Sequence, residues 1–171
     1  MTAEQVGDGP VPAVGNNSSM AHVPINHPLR PVYRALTGLA AVYLLIFGVV
    51  GFLQTSDLAT FEQHGLPSVL GLPANRASAI FSLGVGAAVL AGVLIGRNLD
   101  VAIDLVVGSV LLVVGTAMMG LMRTDANAFG YSMANCVVVY VIGMLALTAG
   151  LYGKVGSAAS ARAEDSFRHT H

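Results

Sequence analysis

Three charged residues close together beside an apolar segment are the first candidates for chemistry. Arg97, Asp100 and Asp104 fall within eight residues, and the two carboxylates are four positions apart, which places them on one face of a helix. In one interpretation Asp104 caps the first helical turn and the cluster makes an interfacial ion pair with Arg97, Arg34 or Lys154. The alternative is a proton or cation site, because acidic residues next to apolar segments are functional candidates.

Small residues recur every fourth position in the preceding segment. These are Gly84, Ala88, Gly92 and Gly96, and their spacing predicts a narrow groove along one helix face. Small faces let helix backbones approach closely. The groove therefore either packs against a helix of the same chain or docks another subunit or a second copy.

Asn135 is the most costly polar residue within an apolar segment, because an unpartnered amide is expensive to bury. We expect its side chain to hydrogen bond to a neighbouring helix, with a ligand contact as the alternative. Cys136 beside it is expected to be a small buried hydrophobic residue.

Signatures of catalysis, cofactors and metals are lacking in the sequence. The chain has no HExxH, GxxxxGK[ST] or GxGxxG motif in a suitable context, and no Ser/His/Asp set is indicated. All five histidines lie outside the apolar segments, so haem and quinone are not indicated: His22, His27, His64, His169 and His171. The net charge of −1 offers no basic face for nucleic acid. We therefore predict a protein that is not an enzyme and has no cofactor, no metal and no nucleic-acid partner.

The segments that must position these residues are membrane helices. Hydrophobic residues make up 54% of the 171 residues and charged residues only 10%. Charge is almost absent from four segments, which predict helices at about 35–53, 77–96, 102–122 and 131–153. Each is long enough to cross a hydrocarbon core of about 30 Å. The runs are continuous rather than alternating, so the fold class is all-α and a β-barrel is excluded.

The remaining segments are polar or contain turn residues. Residues 1–29 and 155–171 are predicted to be disordered cytoplasmic tails around a membrane domain at 30–154. The longest loop, at about 54–76, contains apolar residues, which favours a short interfacial helix near 57–63 followed by a return rich in Gly and Pro.

The distribution of basic residues predicts the orientation. One side carries six Lys and Arg residues and the other two, Arg76 and Arg123. The six are Arg30, Arg34, Arg97, Lys154, Arg162 and Arg168. This asymmetry places both termini in the cytoplasm, and the tight loops predict an up-down-up-down four-helix bundle.

A weak internal similarity divides the helices into two pairs. Residues 51–55 resemble 120–124, and residues 91–97 resemble 149–154. Two helical hairpins in the same orientation would explain the similarity, and so would chance in a sequence of low complexity.

Five short motifs occur in order through the membrane region. They are NHPLRPVYR at 26–34, GVVGF at 48–52, LGLPAN at 70–75, GRNLD at 96–100 and RTDAN at 123–127. In these motifs the chain resembles a mainly actinobacterial family of small four-helix integral membrane proteins, catalogued as a domain of unknown function. The resemblance covers about residues 26–155. It implies a plasma-membrane location and brings no established activity and no catalytic residues.

Two functions from different classes follow. The first is a non-enzymatic accessory or interaction subunit of a membrane assembly, by analogy with the small helical subunits of actinobacterial respiratory complexes. Its partners would be the lipid bilayer and other membrane subunits or itself. The alternative is a small oligomeric transporter or channel, whose pathway would have to use Asp104, Ser109, Thr116 and Asn135. A sensor or regulator that acts through its tails is a further possibility.

Overall fold

The computed structural model describes residues 28–156, and four helices form its framework. They are α1 (Arg30–Gln54), α2 (Arg76–Ile95), α3 (Leu99–Leu121) and α4 (Met133–Tyr152). All four are long and apolar enough to cross a membrane. The all-helical, four-helix prediction is therefore confirmed. The two predicted tails lie outside the described residues, except for their innermost residues 28–29 and 155–156.

The first and third helices begin earlier than the sequence predicts. α1 begins at Arg30 rather than 35, because Pro31 lies in its first turn, where the missing N–H of proline costs no hydrogen bond. α3 begins at Leu99 rather than 102, so that Asp100 occupies the first turn and Asp104 the second. The placement of Asp104 in the first turn was therefore wrong.

The second and fourth helices begin at capping boxes, which fix their starts. The Asn75 side chain accepts from the Ser78 N–H while Ser78 accepts from the Asn75 N–H. Ser132 and Asn135 form the same reciprocal pair before α4. Each box pairs two backbone N–H groups at the start of the helix that would otherwise lack a partner. The observed bounds differ by one or two residues from the predicted 77–96 and 131–153.

Adjacent helices pack as two pairs that close into a ring. α1 packs most extensively against α2 and α3 against α4, while smaller α2–α3 and α1–α4 contacts complete the bundle. Glycines allow the closest approaches within the pairs. A β-carbon added at Gly48 would lie 2.6 Å from Leu83, and one at Gly108 would lie 2.5 Å from the Leu147 nitrogen. Both distances are too short for a real side chain, so the backbones touch at these points.

The interior between α3 and α4 is filled by apolar side chains. Leu111, Met118, Cys136 and Val139 are buried together, with Tyr131 above the start of α4. Cys136 is a buried free cysteine, as expected for a small hydrophobic residue.

The loop between α1 and α2 folds back onto the bundle as a small hairpin. Strands β1 (Ser68–Val69) and β2 (Leu72–Pro73) pair antiparallel. Val69 and Leu72 are buried against Phe47, which explains the apolar character of this loop. The expected helix near 57–63 was wrong, because this segment forms successive turns instead.

Candidate functional site

Opposite charges are buried together at one end of the bundle, which we call the charged end. Asp100 Oδ2 lies 3.1 Å from Arg30 Nη2 and 3.4 Å from Arg34 Nε. Arg30 Nε also donates to the Gly153 carbonyl at 2.8 Å, and Arg34 donates to the Val93 carbonyl. The charged end therefore joins the starts of α1 and α3 to the ends of α2 and α4.

The pairing around Asp100 compensates for its burial. Its side chain is 3% exposed, whereas those of Arg30 and Arg34 are 21% and 35% exposed. A carboxylate at this depth loses its hydration, and two guanidinium groups replace that hydration with charge-assisted contacts. Arg34 was among the expected partners, whereas Arg30 was not.

Asp104 lies one helical turn deeper than Asp100 and has no comparable partners. It is 3% exposed, and its Oδ1 has no hydrogen-bond partner among residues 28–156. Asp100 Oδ1 is likewise buried without a partner in this part of the chain. Both carboxylates thus point into the bundle from the same face of α3, which is the arrangement that their spacing predicts.

Arg97 lies in the tight turn between α2 and α3 and does not join the buried cluster. Gly96, Arg97 and Asn98 all adopt positive φ angles, of 67°, 54° and 65°. The Arg97 side chain makes no ion pair within residues 28–156, so that of the three cations considered for the interfacial pair it is Arg34 that contacts Asp100. Asn98 instead exchanges two hydrogen bonds with the backbone of Val155, at 2.9 and 2.8 Å.

The small-residue groove on α2 divides into a buried and an exposed half. Gly92 is buried, and a β-carbon there would lie 3.0 Å from Ile103 of α3. Gly96 is buried beside the Arg34 guanidinium. Gly84 and Ala88 are exposed, and a β-carbon at Gly84 would meet nothing within 4 Å. Packing within the chain therefore accounts for Gly92 and Gly96 and leaves Gly84 and Ala88 exposed.

Several glycines that make close helix contacts were missed by the sequence analysis. On α4 a β-carbon at Gly143 would lie 3.1 Å from Leu111, and one at Gly150 would lie 2.7 Å from Leu105. Gly108 supplies the matching close approach on α3. Gly143 and Gly150 are seven residues apart, and this spacing was the available signal. Residues seven apart lie on one helix face and can both contact a neighbouring helix that packs at a small angle.

Asn135 lies at the end of the bundle opposite the charged end, as the third residue of α4. Its Oδ1 accepts from the Ser132 N–H, and its Nδ2 donates to the Pro73 carbonyl at 3.0 Å. The side chain therefore caps a helix and holds the α1–α2 loop. The expected bond to a neighbouring helix was wrong, because the partner is a loop carbonyl.

Two further asparagines organise this opposite end and were not singled out from the sequence. Asn75 Nδ2 donates to the carbonyls of Glu62 and Ala128, at 3.0 and 2.9 Å. Asn127 bonds to both backbone groups of Tyr131 at 3.0 Å. The position of Asn75 before Ser78 was the available signal, since asparagine is a preferred helix N-cap.

The four polar residues considered for a transport pathway lie apart from each other. Asp104 is at the charged end and Asn135 at the opposite end. Ser109 and Thr116 are exposed on α3 and bond to the carbonyls of Leu105 and Leu112 in their own helix. Thr116 additionally contacts the Tyr140 hydroxyl at 2.7 Å.

Comparisons with known proteins do not extend this description. No protein-family model, no curated protein and no solved structure matches the chain.

Proposed function

We propose that the chain is a plasma-membrane protein with an up-down-up-down bundle and both termini in the cytoplasm. The Arg30–Asp100 and Arg30–Gly153 contacts support this topology, because they bring the starts of α1 and α3 to the end of α4. The excess of Lys and Arg on the same side supports the orientation. The resemblance of the membrane region to an actinobacterial family supports the plasma membrane.

The orientation is tested by labelling with a thiol reagent that does not cross membranes. In intact cells, Asp57→Cys is expected to react, because it lies in the loop opposite the charged end. Leu29→Cys, at the charged end, is expected to react only after the membrane is permeabilised. The wild-type chain is the control, since its single cysteine is buried. The reverse labelling pattern would overturn the proposed orientation.

Within the membrane, the chain acts as a non-enzymatic accessory subunit that binds another membrane protein. The observation that carries this proposal is the exposed half of the α2 groove. Gly84 and Ala88 face outward, and Ile80 and Ile95 on the same helix face are 49% and 57% exposed. A flat small-residue surface between apolar side chains fits a helix of a partner, because packing holds membrane helices together.

The filled interior supports an interaction role over conduction through one copy. Leu111, Met118 and Val139 are buried between the two ends of the bundle, at depths where a pathway would need polar groups. Ser109 and Thr116 lie outside this core.

The accessory role is tested by purifying the tagged protein from its native membrane in mild detergent. We expect it to migrate in a larger complex on a native gel, with one other membrane protein present at stoichiometric amounts by mass spectrometry. Gly84→Leu is expected to release that protein. Gly120→Leu is the matched control, because Gly120 is also an exposed helix glycine with nothing within 4 Å of an added β-carbon.

Two results would overturn the accessory role. One is a wild-type protein that migrates alone or as an assembly of identical copies. The other is a Gly84→Leu variant that keeps the same stoichiometric partner as the Gly120→Leu variant.

A further inference from the structure

We propose that Asp104 is a proton-binding site within the charged end. Its carboxylate takes one proton from a hydronium ion in the water at that end of the bundle, so that an O–H bond forms on Asp104 while one breaks in the hydronium ion, which becomes water. The motivating observation is a carboxyl group that is 3% exposed and has an oxygen without a hydrogen-bond partner in residues 28–156. A buried carboxylate is costly to ionise unless it is paired, and protonation removes that charge.

The nearby cations are committed to other acceptors, which is why Asp104 needs a proton. Arg30 divides its guanidinium between Asp100 and the Gly153 carbonyl. Arg34 divides its own between Asp100 and the Val93 carbonyl. Since both guanidinium groups are held on two sides, an ionised Asp104 would have to draw one of them away from these acceptors.

A proton fits this position better than a metal ion. The Oδ1 atoms of Asp100 and Asp104 are shielded from solvent, so a cation bound to them would have to lose its hydration shell. A sodium or calcium ion would need several oxygen ligands. Within residues 28–156, no three His, Cys, Asp or Glu side chains come together as a metal site. The guanidinium groups of Arg30 and Arg34, which contact Asp100, also repel a cation.

Proton occupancy is coupled to the contact between α1 and α3. Loss of the proton would place a second negative charge one helical turn from Asp100, where it competes for the same two arginines. α2 contributes no ionisable residue between 77 and 95. The other ionisable residues at this end are Arg30, Tyr33 and Arg34 of α1, Arg97, Asp100 of α3, Tyr152 of α4 and Lys154.

Infrared spectroscopy of the full chain in lipid vesicles tests whether Asp104 carries a proton at neutral pH. Exposed carboxyl groups are ionised at neutral pH, so a protonated-carboxyl C=O band at that pH belongs to a buried group. We expect the wild type to show this band, with a shift in D2O, and Asp104→Asn to lack it. Asp125→Asn, at an exposed position in the α3–α4 loop, is the control and keeps the band.

The proposal is overturned if the wild type shows no such band at neutral pH, or if Asp104→Asn retains it. Asparagine has the shape of a protonated carboxyl group, so Asp104→Asn is expected to melt no lower than the wild type. If this variant does not fold, Asp104→Glu decides the question. The proposal predicts that Asp104→Glu keeps a protonated-carboxyl band at a changed frequency. The absence of this band from Asp104→Glu would overturn the proposal.

Discussion

Arg30 and Asp100 are separated by seventy residues, and their side chains meet with 3.1 Å between Nη2 and Oδ2. Each residue lies in the first turn of its helix. Asp100 is stabilised there twice, because the positive end of the α3 dipole favours a carboxylate and two guanidinium groups contact it. The pair therefore holds the first and third helices in register at the charged end.

Asp100→Asn is expected to destabilise the bundle by about 1–3 kcal/mol, because it leaves two partly buried guanidinium groups without their carboxylate partner. We expect a loss in the lower part of that range, because Arg34 is 35% exposed and water can replace its lost contact. Thermal unfolding in detergent micelles measures the loss. Asp125→Asn is the control and should change the melting temperature little, since its side chain is exposed and makes no ion pair within residues 28–156.

A double-mutant cycle separates the ion pair from other effects of the substitution. Arg30→Gln and Asp100→Asn together should cost less than the sum of the two single changes, because the same contact is lost in each. Strict additivity would contradict a direct interaction between these side chains.

Gly108→Ala is expected to destabilise the α3–α4 pair by about 1–3 kcal/mol. The added carbon would lie 2.5 Å from the Leu147 nitrogen and 2.9 Å from the Gly143 carbonyl oxygen. Both atoms belong to backbone, so the helices must separate to make room. Denaturation of the micellar protein with a harsher detergent reports the change.

Gly84→Ala is the matched control for Gly108→Ala, because an added carbon there meets nothing within 4 Å. Alanine is also the better helix former, so its stability should be unchanged or slightly higher. Equal losses in the two variants would show that helix propensity, rather than close packing, governs these glycines.

Glu62 gives the loop opposite the charged end a dependence on pH. The backbone N–H groups of His64 and Gln63 donate to Glu62 Oε1 at 3.2 and 3.0 Å, and they lower the pKa of this carboxyl group. A depressed pKa in the folded state means that the stabilisation is present above the unfolded pKa and is lost as pH falls through the folded pKa.

NMR titration of the Glu62 side chain in micelles measures this effect. We expect its pKa to lie below the ordinary value for glutamate, and Glu62→Gln to remove the associated change in loop stability with pH. The side chain is exposed, so the effect on global unfolding is small. A pKa at or above the ordinary value would contradict the two backbone hydrogen bonds.

The helices could be predicted from the sequence because the bilayer imposes a simple rule of length and polarity. The starts of α1 and α3 could not, because the search for segments with little charge left Arg34 and Asp100 outside the predicted helices. Both charges belong to helical turns and are neutralised or buried by tertiary contacts. The turns at 57–63 were mistaken for a helix because the apolar residues of the whole loop were assigned to the membrane interface, whereas Val69 and Leu72 pack against Phe47 of α1.

The candidate site was predicted only in part. The four-residue spacing of Asp100 and Asp104 was enough to place both carboxylates on one face. Their partners depend on which helices are neighbours, and the sequence does not specify that α1 approaches α3 at Arg30. Asn135 shows the same limit, since its Pro73 partner comes from a loop whose fold was not predicted.

The hydrogen bond from Arg30 to the Gly153 carbonyl has a consequence for the connectivity of the chain. Because the two ends of the helical region touch, a short linker could join them in a circular permutant. Opening such a ring within the turns at 57–63 would break none of the four helices. Both new termini would then lie at the end of the bundle opposite the charged end. The helix contacts would stay the same, while the free ends of the chain would be on the other side of the bilayer.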